Sequence, residues 1–332
     1  MVLLTAGLVA LFLGSLMVGR YDIGPKDLFA IFRTRLQGGP LTGDLGTQAL
    51  IFFQIRLPRC LMALLAGAGL SVSGAAYQAL FRNPLVSPDI LGVAAGCTFG
   101  AALGLVLPGE SFALVRALAF VGGLLAVYLA VGIAKWVRGG RPVIILVLAG
   151  LVVTSVFNAL LMVLKYGADP YNELPAIVFW IMGSLNRVVW ADLYIMIPVV
   201  GGGMIAFVLL RYRLNVLSLG DLQARSLGMN PGFYRFAMIS LSSLMVAICV
   251  STCGQICWIG LVVPHMARTL VGPNHQRMIP VTLVMGALFL LVADAMARSL
   301  TAAELPVSII TALSGAPLFA FLLYRNRGRG WI

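Results

Sequence analysis

The residues of this chain that could do chemistry are few. Its 332 residues include 5 cysteines and 2 histidines. Cys249, Cys253 and Cys257 recur at i, i+4 and i+8, which is one stripe of an unbroken helix. Thiols in that register would suit a path for soft metal ions. Small polarisable side chains also pack well where membrane helices meet, and packing is the favoured reading. His265 and His275 flank one short loop and have no partner cluster nearby. The patterns H-E-x-x-H, G-x-S-x-G and G-x-x-x-x-G-K-[ST] are absent, which removes the zinc-protease, hydrolase and phosphate-loop chemistries they carry. No catalytic group, no metal site and no cofactor is expected. Asp294 and Arg298 stand four apart, a spacing at which helical side chains pair. Acids are otherwise nearly absent from the apolar runs, which argues against a carrier that relays protons or sodium through carboxylates.

The elements that must position these residues are membrane spans. Hydrophobic residues make up 61% of the chain and charged ones 10%, whereas soluble proteins average about a quarter charged. The apolar runs are near 20 residues long and show no period-two alternation, so an all-α polytopic bundle is expected rather than a barrel. About ten spans are expected, at 2–19, 57–80, 90–107, 112–131, 143–164, 193–210, 236–254, 258–270, 278–297 and 306–323, all within one transmembrane domain over 1–332. The stretch 236–263 is uncharged and too long for one upright span, so a break is placed at Gly254-Gln255, with Pro264 and His265 ending a short eighth span. Residues 1–19 lack a basic start and an A-x-A ending, so they read as the first span rather than a signal peptide. The net charge of +12 lies in short loops, which suits orientation and lipid headgroups, not nucleic acid. With the N-terminus inside, and the long loop 20–59 set aside, the inner loops are the more basic, and ten spans keep Arg325, Arg327 and Arg329 inside.

A shift of 180 residues aligns Ser71 with Ser251, Gly74 with Gly254, Pro84 with Pro264 and Gly92 with Gly272. Copies separated by five spans run in opposite directions, the inverted repeat of many transporters. Three short segments invite function. Arg56-Leu57-Pro58-Arg59 opens the second span on the outer side, where two guanidiniums on a rigid rim would pair with carboxylates or anchor headgroups. Asn83-Pro84-Leu85, with Pro88, forms a tight inner turn that reads as a gate or as a plain helix stop. In the long inner loop 218–234, Gly220 and Asp221 start a short helix and Gly228 fits its C′ position. Such a helix would touch a soluble motor or lie flat on the bilayer.

Several stretches together resemble the iron-chelate and vitamin B12 permeases of bacterial ABC importers. They are RLPR at 56–59, VSGAAYQALFRNPLVSPDILG at 72–92, FWIMGSL at 179–185, ARSLG at 224–228, GLVVPHMAR at 260–268, LVADAMAR at 291–298 and ELPVSIITALSGAP at 304–317. They run in order over nearly the whole chain. The resemblance implies a multi-pass subunit of a bacterial or archaeal plasma membrane that pairs with a second copy. Two cytoplasmic ATP-binding subunits would drive it, and an extracytoplasmic binding protein would supply the cargo. By matching position, Arg56, Arg59 and Arg298 would meet acids of the binding protein, and Asn83 and Leu85 would gate the inner mouth. Gly220, Asp221, Ala224, Arg225, Ser226, Leu227 and Gly228 would couple to the ATPase. His265 becomes a turn residue. A second gate between spans four and five carries small hydroxyl residues in the family, where this chain has Arg141-Pro142-Val143. The expected cargo is a ferric siderophore, with haem, cobalamin or molybdate as alternatives in the same architecture. An ion-coupled carrier and a membrane metal or haem enzyme are the competing classes.

Overall fold

The computed structural model describes residues 1–19, 21, 23–37, 41–109, 111–137, 142–301 and 303–325. Within them the chain is helical, in the order α1 (Val2–Met17), α2 (Pro25–Leu36), α3 (Gly43–Leu50), α4 (Leu57–Phe81), α5 (Val93–Val106), α6 (Phe112–Trp136), α7 (Pro142–Gly167) and α8 (Glu173–Ile181). Then follow α9 (Trp190–Met196), α10 (Gly202–Leu219), α11 (Asp221–Ser226), α12 (Pro231–Cys253), α13 (Ile259–Val271), α14 (His275–Ser299) and α15 (Val307–Arg325). One turn of wider π-helix, Ile51–Arg56, fuses α3 to α4, and another, Ile197–Gly201, fuses α9 to α10. Among the described residues, 7 helices are long and apolar enough to cross a membrane. The shorter apolar helices α1, α5 and α13 fall on the first, third and eighth expected spans.

The sequence dictates where the bundle's axis lies. Of α4's 25 residues, only Leu57, Leu61, Leu64 and Leu65 are not fully buried. Its run of Ala, Gly and Ser lets neighbouring backbones approach closely, which is how helices associate where lipid offers no hydrophobic gradient. A Cβ on Gly67 would collide with the Gly286 carbonyl of α14, and one on Gly74 with the Gly260 carbonyl of α13. The outer helices instead expose large aliphatics, as on α7 at Leu148, Leu151, Val152 and Val156, the composition of a lipid-facing surface.

The break between spans seven and eight falls where expected. Gly254 ends α12 with φ +71°, a backbone state that L residues rarely adopt. Four expectations need correction. The described part of the segment 20–59 is not a plain loop: Pro25–Leu36 forms α2, while α3 and a π-turn extend the second span into one 39-residue helix, Gly43–Phe81. Pro264 and His265 do not end the eighth span, since α13 runs through both to Val271. The 180-residue register matches only in part: Ser71 and Ser251 both lie in helices, and Gly92 and Gly272 both take positive φ just ahead of a helix, whereas Gly74 lies inside α4 while Gly254 ends α12, and Pro84 lies in a turn while Pro264 lies in a helix. The cysteine stripe is cut, because α12 stops at Cys253 and leaves Cys257 on the connector. Arg141, Arg327 and Arg329 lie outside the described residues.

Candidate functional site

Polar groups collect at the two ends of α4, roughly 35 Å apart along its axis at 1.5 Å per residue. They are named outer and inner by the orientation that loop charge leads one to expect.

At the outer end the three arginines of the sequence reading converge, but they are not held out on the rim. Arg56, Arg59 and Arg298 are 4%, 5% and 4% exposed. Arg56 donates from Nη1 to the carbonyls of Leu16 (3.0 Å) and Met17 (2.9 Å) and from Nη2 to that of Tyr21. Arg298 donates to the carbonyls of Ser15 (2.8 Å) and Val18 (3.0 Å) and to the Ser15 hydroxyl. Both guanidiniums therefore satisfy the open carbonyls at the C-terminus of α1, where positive charge also complements the helix dipole. Arg59 bridges two acids: Nε and Nη2 reach Asp294 Oδ1 at 2.9 Å, and Nη1 reaches Glu304 Oε2 at 2.8 Å. Asp294 is fully buried and also faces Arg298 Nε at 3.5 Å. The pairing of Asp294 with Arg298 was legible in the i, i+4 spacing. Arg59 as the closer partner was not.

Beside this cluster opens a cavity of about 240 Å³. It is lined by the start of α6, α8, the turn 183–187, the end of α12, Glu304 and Pro306. Its wall is tied by backbone bonds, Ser184 N–H to Cys253 O (2.8 Å) and Val307 N–H to Gly183 O (3.1 Å). Arg116 at the mouth pairs with Asp192, and Arg187 lies over the Phe112 ring with its guanidinium carbon 4.7 Å from the centroid.

At the inner end, α4 closes on Arg82 with φ +51°, and Asn83 then accepts from Leu85 N–H through Oδ1 at 2.9 Å. That bond is an Asx-turn, which fixes the chain's reversal locally. Leu85 at its tip is 54% exposed. Gln78 Nε2 donates to Leu261 O (3.3 Å) and Gln78 Oε1 accepts from Arg268 (3.2 Å), which fastens the turn to α13. An open groove of about 560 Å³ joins Phe81 and Arg82 to Pro142–Ile144 of α7 and to Gly220, Asp221, Leu222 and Gln223. The two inner segments of the sequence reading are thus neighbours, with Arg82 between them.

The helix expected at 220–228 is α11, and it stops as a Schellman motif. Met229 N–H bonds Ala224 O (3.0 Å), Gly228 N–H bonds Arg225 O (2.9 Å), and Gly228 has φ +74°. Ala224 and Met229 are buried beneath it, while Leu222 and Leu227 are exposed, Leu222 by 80%. Arg235 of α12 grips Asp221 with Nη2 at 2.6 Å and Nη1 at 3.3 Å. That hydrogen-bonded pair, aided by the fields of Arg82 and Arg225, holds the Asp221 carboxyl below the usual range.

Cys249 and Cys253 are buried, and among the described residues no group of three or more His, Cys, Asp or Glu could hold a metal. His265 packs inside α13 against the Phe319 ring, with centroids 5.7 Å apart, rather than in a turn. His275 Nδ1 lies 2.8 Å from Asn215 Oδ1. Sequence reasoning missed Glu304, Arg82 and α8. Glu304 is one of only 11 acids and stands alone between two apolar stretches, which was a usable signal. Helix α8 is short and apolar, and although the polar stretch 165–173 sets it apart from the preceding span, its nine residues are too few to read as a span.

The FecCD transport family model matches residues 7–325. The molybdate import system permease protein MolB of Haemophilus influenzae is 39% identical over 321 residues, covering 95% of this chain and 92% of that protein. The vitamin B12 import system permease protein BtuC of Klebsiella pneumoniae is 38% identical, covering 85% and 84%. A solved chain described as an inward-facing metal-chelate type ABC transporter superposes with a TM-score of 0.86 at 38% identity, covering 97% of both chains.

Proposed function

The chain belongs to the FecCD transport family and is a multi-pass permease of an ABC importer, and from that premise we propose that it is one half of a homodimeric, ten-span conduit for a metal chelate. In this reading α1, α5 and α13 join the 7 longer helices as spans, and residues 1–332 act as one permease domain. Two cytoplasmic ATP-binding subunits seat on α11, and a soluble binding protein meets the outer rim around Arg56, Arg59 and Arg298. One observation carries the inner half of the mechanism: the groove that places Gly220, Asp221, Leu222 and Gln223 against Phe81 and Arg82. A push on α11 is then felt at the adjoining Asn83–Leu85 turn with no intervening element. Asn83 and Leu85 respond as the inner gate, and the exposed side chains of Leu222 and Leu227 supply the apolar contact with the motor. The energy comes from nucleotide turnover in the partners, since this sequence has no phosphate loop of its own.

Ferric siderophore is the first cargo to test. The 39% identity to a molybdate permease across 95% of this chain favours molybdate as the second. Proteoliposomes holding the permease and ATP-binding subunits, supplied with the binding protein and ATP but no ion gradient, should accumulate one of the two. Uptake that follows a proton or sodium gradient without ATP would remove the reading. The outer rim is tested by Arg59→Gln, which should weaken docking of the binding protein and make it less sensitive to salt. Charge reversal of all three arginines is a blunter tool, because it would set new carboxylates against Asp294 and the α1 carbonyls.

A further inference from the structure

Arg59 holds two acids that differ in kind. Asp294 has no exposure, whereas the Glu304 side chain is 27% exposed and lines the outer cavity. We propose that Glu304 is an internal stand-in for a carboxylate of the soluble binding protein. On docking, the incoming acid takes its place on Arg59 Nη1, and Glu304 moves into the cavity. This rests on the docking role given above to the outer rim.

An exchange resolves what burial otherwise forbids. At 5% exposure Arg59 offers no free face, and stripping it of a partner would leave a buried charge uncompensated. Replacing one carboxylate by another keeps the guanidinium paired throughout. The displaced Glu304 also has somewhere to go. Arg187 lines the same cavity; among the described residues its guanidinium makes no salt bridge and lies over the Phe112 ring, while its carbonyl accepts from Arg116 Nη2 at 3.4 Å.

The exchange has a mechanical consequence. Glu304 opens the segment into α15, and that segment is bonded to the cavity wall. Leu305 N–H reaches Ala297 O (3.0 Å), Val307 N–H reaches Gly183 O (3.1 Å), and the Ser308 hydroxyl reaches Gln255 O. Gly183 and Gln255 belong to the turn after α8 and to the break between α12 and α13, themselves joined through Ser184 N–H and Cys253 O. Moving Glu304 therefore loosens the junction at which the outer cavity is closed, and docking becomes a signal to open it.

The test uses the full-length permease assembled with its ATP-binding subunits in lipid nanodiscs, titrated with the transporter's binding protein. Hydrogen exchange at the Ser184 and Val307 amides should quicken by about tenfold on docking. In Glu304→Gln the same amides should exchange fast without any partner, and docking should tighten by about tenfold because the competing charge is gone. Arg187→Gln should weaken docking a few-fold. Exchange at both amides that ignores docking overturns the proposal in the wild-type protein alone, whatever the variants do. Docking that needs Arg59 but is indifferent to Glu304→Gln overturns the exchange and spares the docking reading. Docking that is equal in wild type and Arg59→Gln removes both.

Discussion

At the outer end of α4, Arg59 is 5% exposed and shared between Asp294 and Glu304. At the inner end, Arg82 lies exposed in a left-handed turn beside Leu85, which is 54% exposed. The outer rim is held by charges drawn from distant parts of the chain, and its strength depends on every partner staying in place. The inner face is shaped by local backbone devices, an Asx-turn at Asn83 and a Schellman motif at Gly228, and although Gln78–Arg268 and Asp221–Arg235 tie it down, Leu85, Leu222 and Leu227 stay exposed. In the proposed reading, the first construction would keep a rim shut until a partner docks, and the second would let a partner grip and move a lever.

The contrast is broken or sharpened by four measurements. The largest effect is expected from Asp294→Asn, which leaves Arg59 and Arg298 buried without full compensation. Loss of a buried partner costs about 3–5 kcal/mol, so thermal unfolding in detergent should shift strongly downward. An unchanged midpoint would show that the outer pairs carry no load. Next is the double variant Leu222→Ser and Leu227→Ser. ATP-driven uptake should fall by roughly tenfold or more, as expected when apolar anchors leave an interface, while the unfolding midpoint stays put. A drop in stability instead would mean these leucines pack within the chain.

Smaller again is Gly228→Ala. Its Cβ meets nothing within 4 Å, so the only cost is the left-handed backbone, about 1 kcal/mol. Faster hydrogen exchange at Met229, whose amide closes the motif on Ala224, should report it. The smallest effect is the pH response of the Asp221–Arg235 pair. Folding lowers the Asp221 carboxyl's affinity for protons, so its contribution is present above the unfolded-state pKa and is lost as pH falls through the lower folded value. Uptake and α11 protection should be flat from neutral to mildly acidic pH and decline only in stronger acid. At 36% side-chain exposure the pair is screened and contributes under about 1 kcal/mol, so Asp221→Asn should change protection at α11 only slightly at neutral pH.

Much of the framework was legible because it is written locally. Runs such as 62–80 announce a span by length and a central position by their Ala, Gly and Ser content, and α4 is the most buried helix of the bundle. Gly254, Gly220 and Gly228 were read as a break, a start and a stop, and all three have positive φ. The short helices α2, α3 and α8 were missed, since a few turns without a long apolar run carry little periodic signal. The i, i+4, i+8 cysteine register is not one stripe, because periodicity holds only while the helix does, and α12 ends at the break read at Gly254-Gln255, between the second thiol and the third.

What the sequence determined alone is therefore what covalent geometry and solvent impose within one or two turns: that these apolar runs are helices in a bilayer, where they bend, and which family they match. Which partner each arginine takes was decided only by tertiary packing. Arg59 meets Asp294 and Glu304 across 235 and 245 residues, and Arg56 closes the end of a helix 40 residues before it. Such meetings depend on how α1, α4 and α14 lie against one another. A guanidinium takes whichever acceptors that packing leaves unsatisfied, so residue type predicts the appetite for a partner but not the partner.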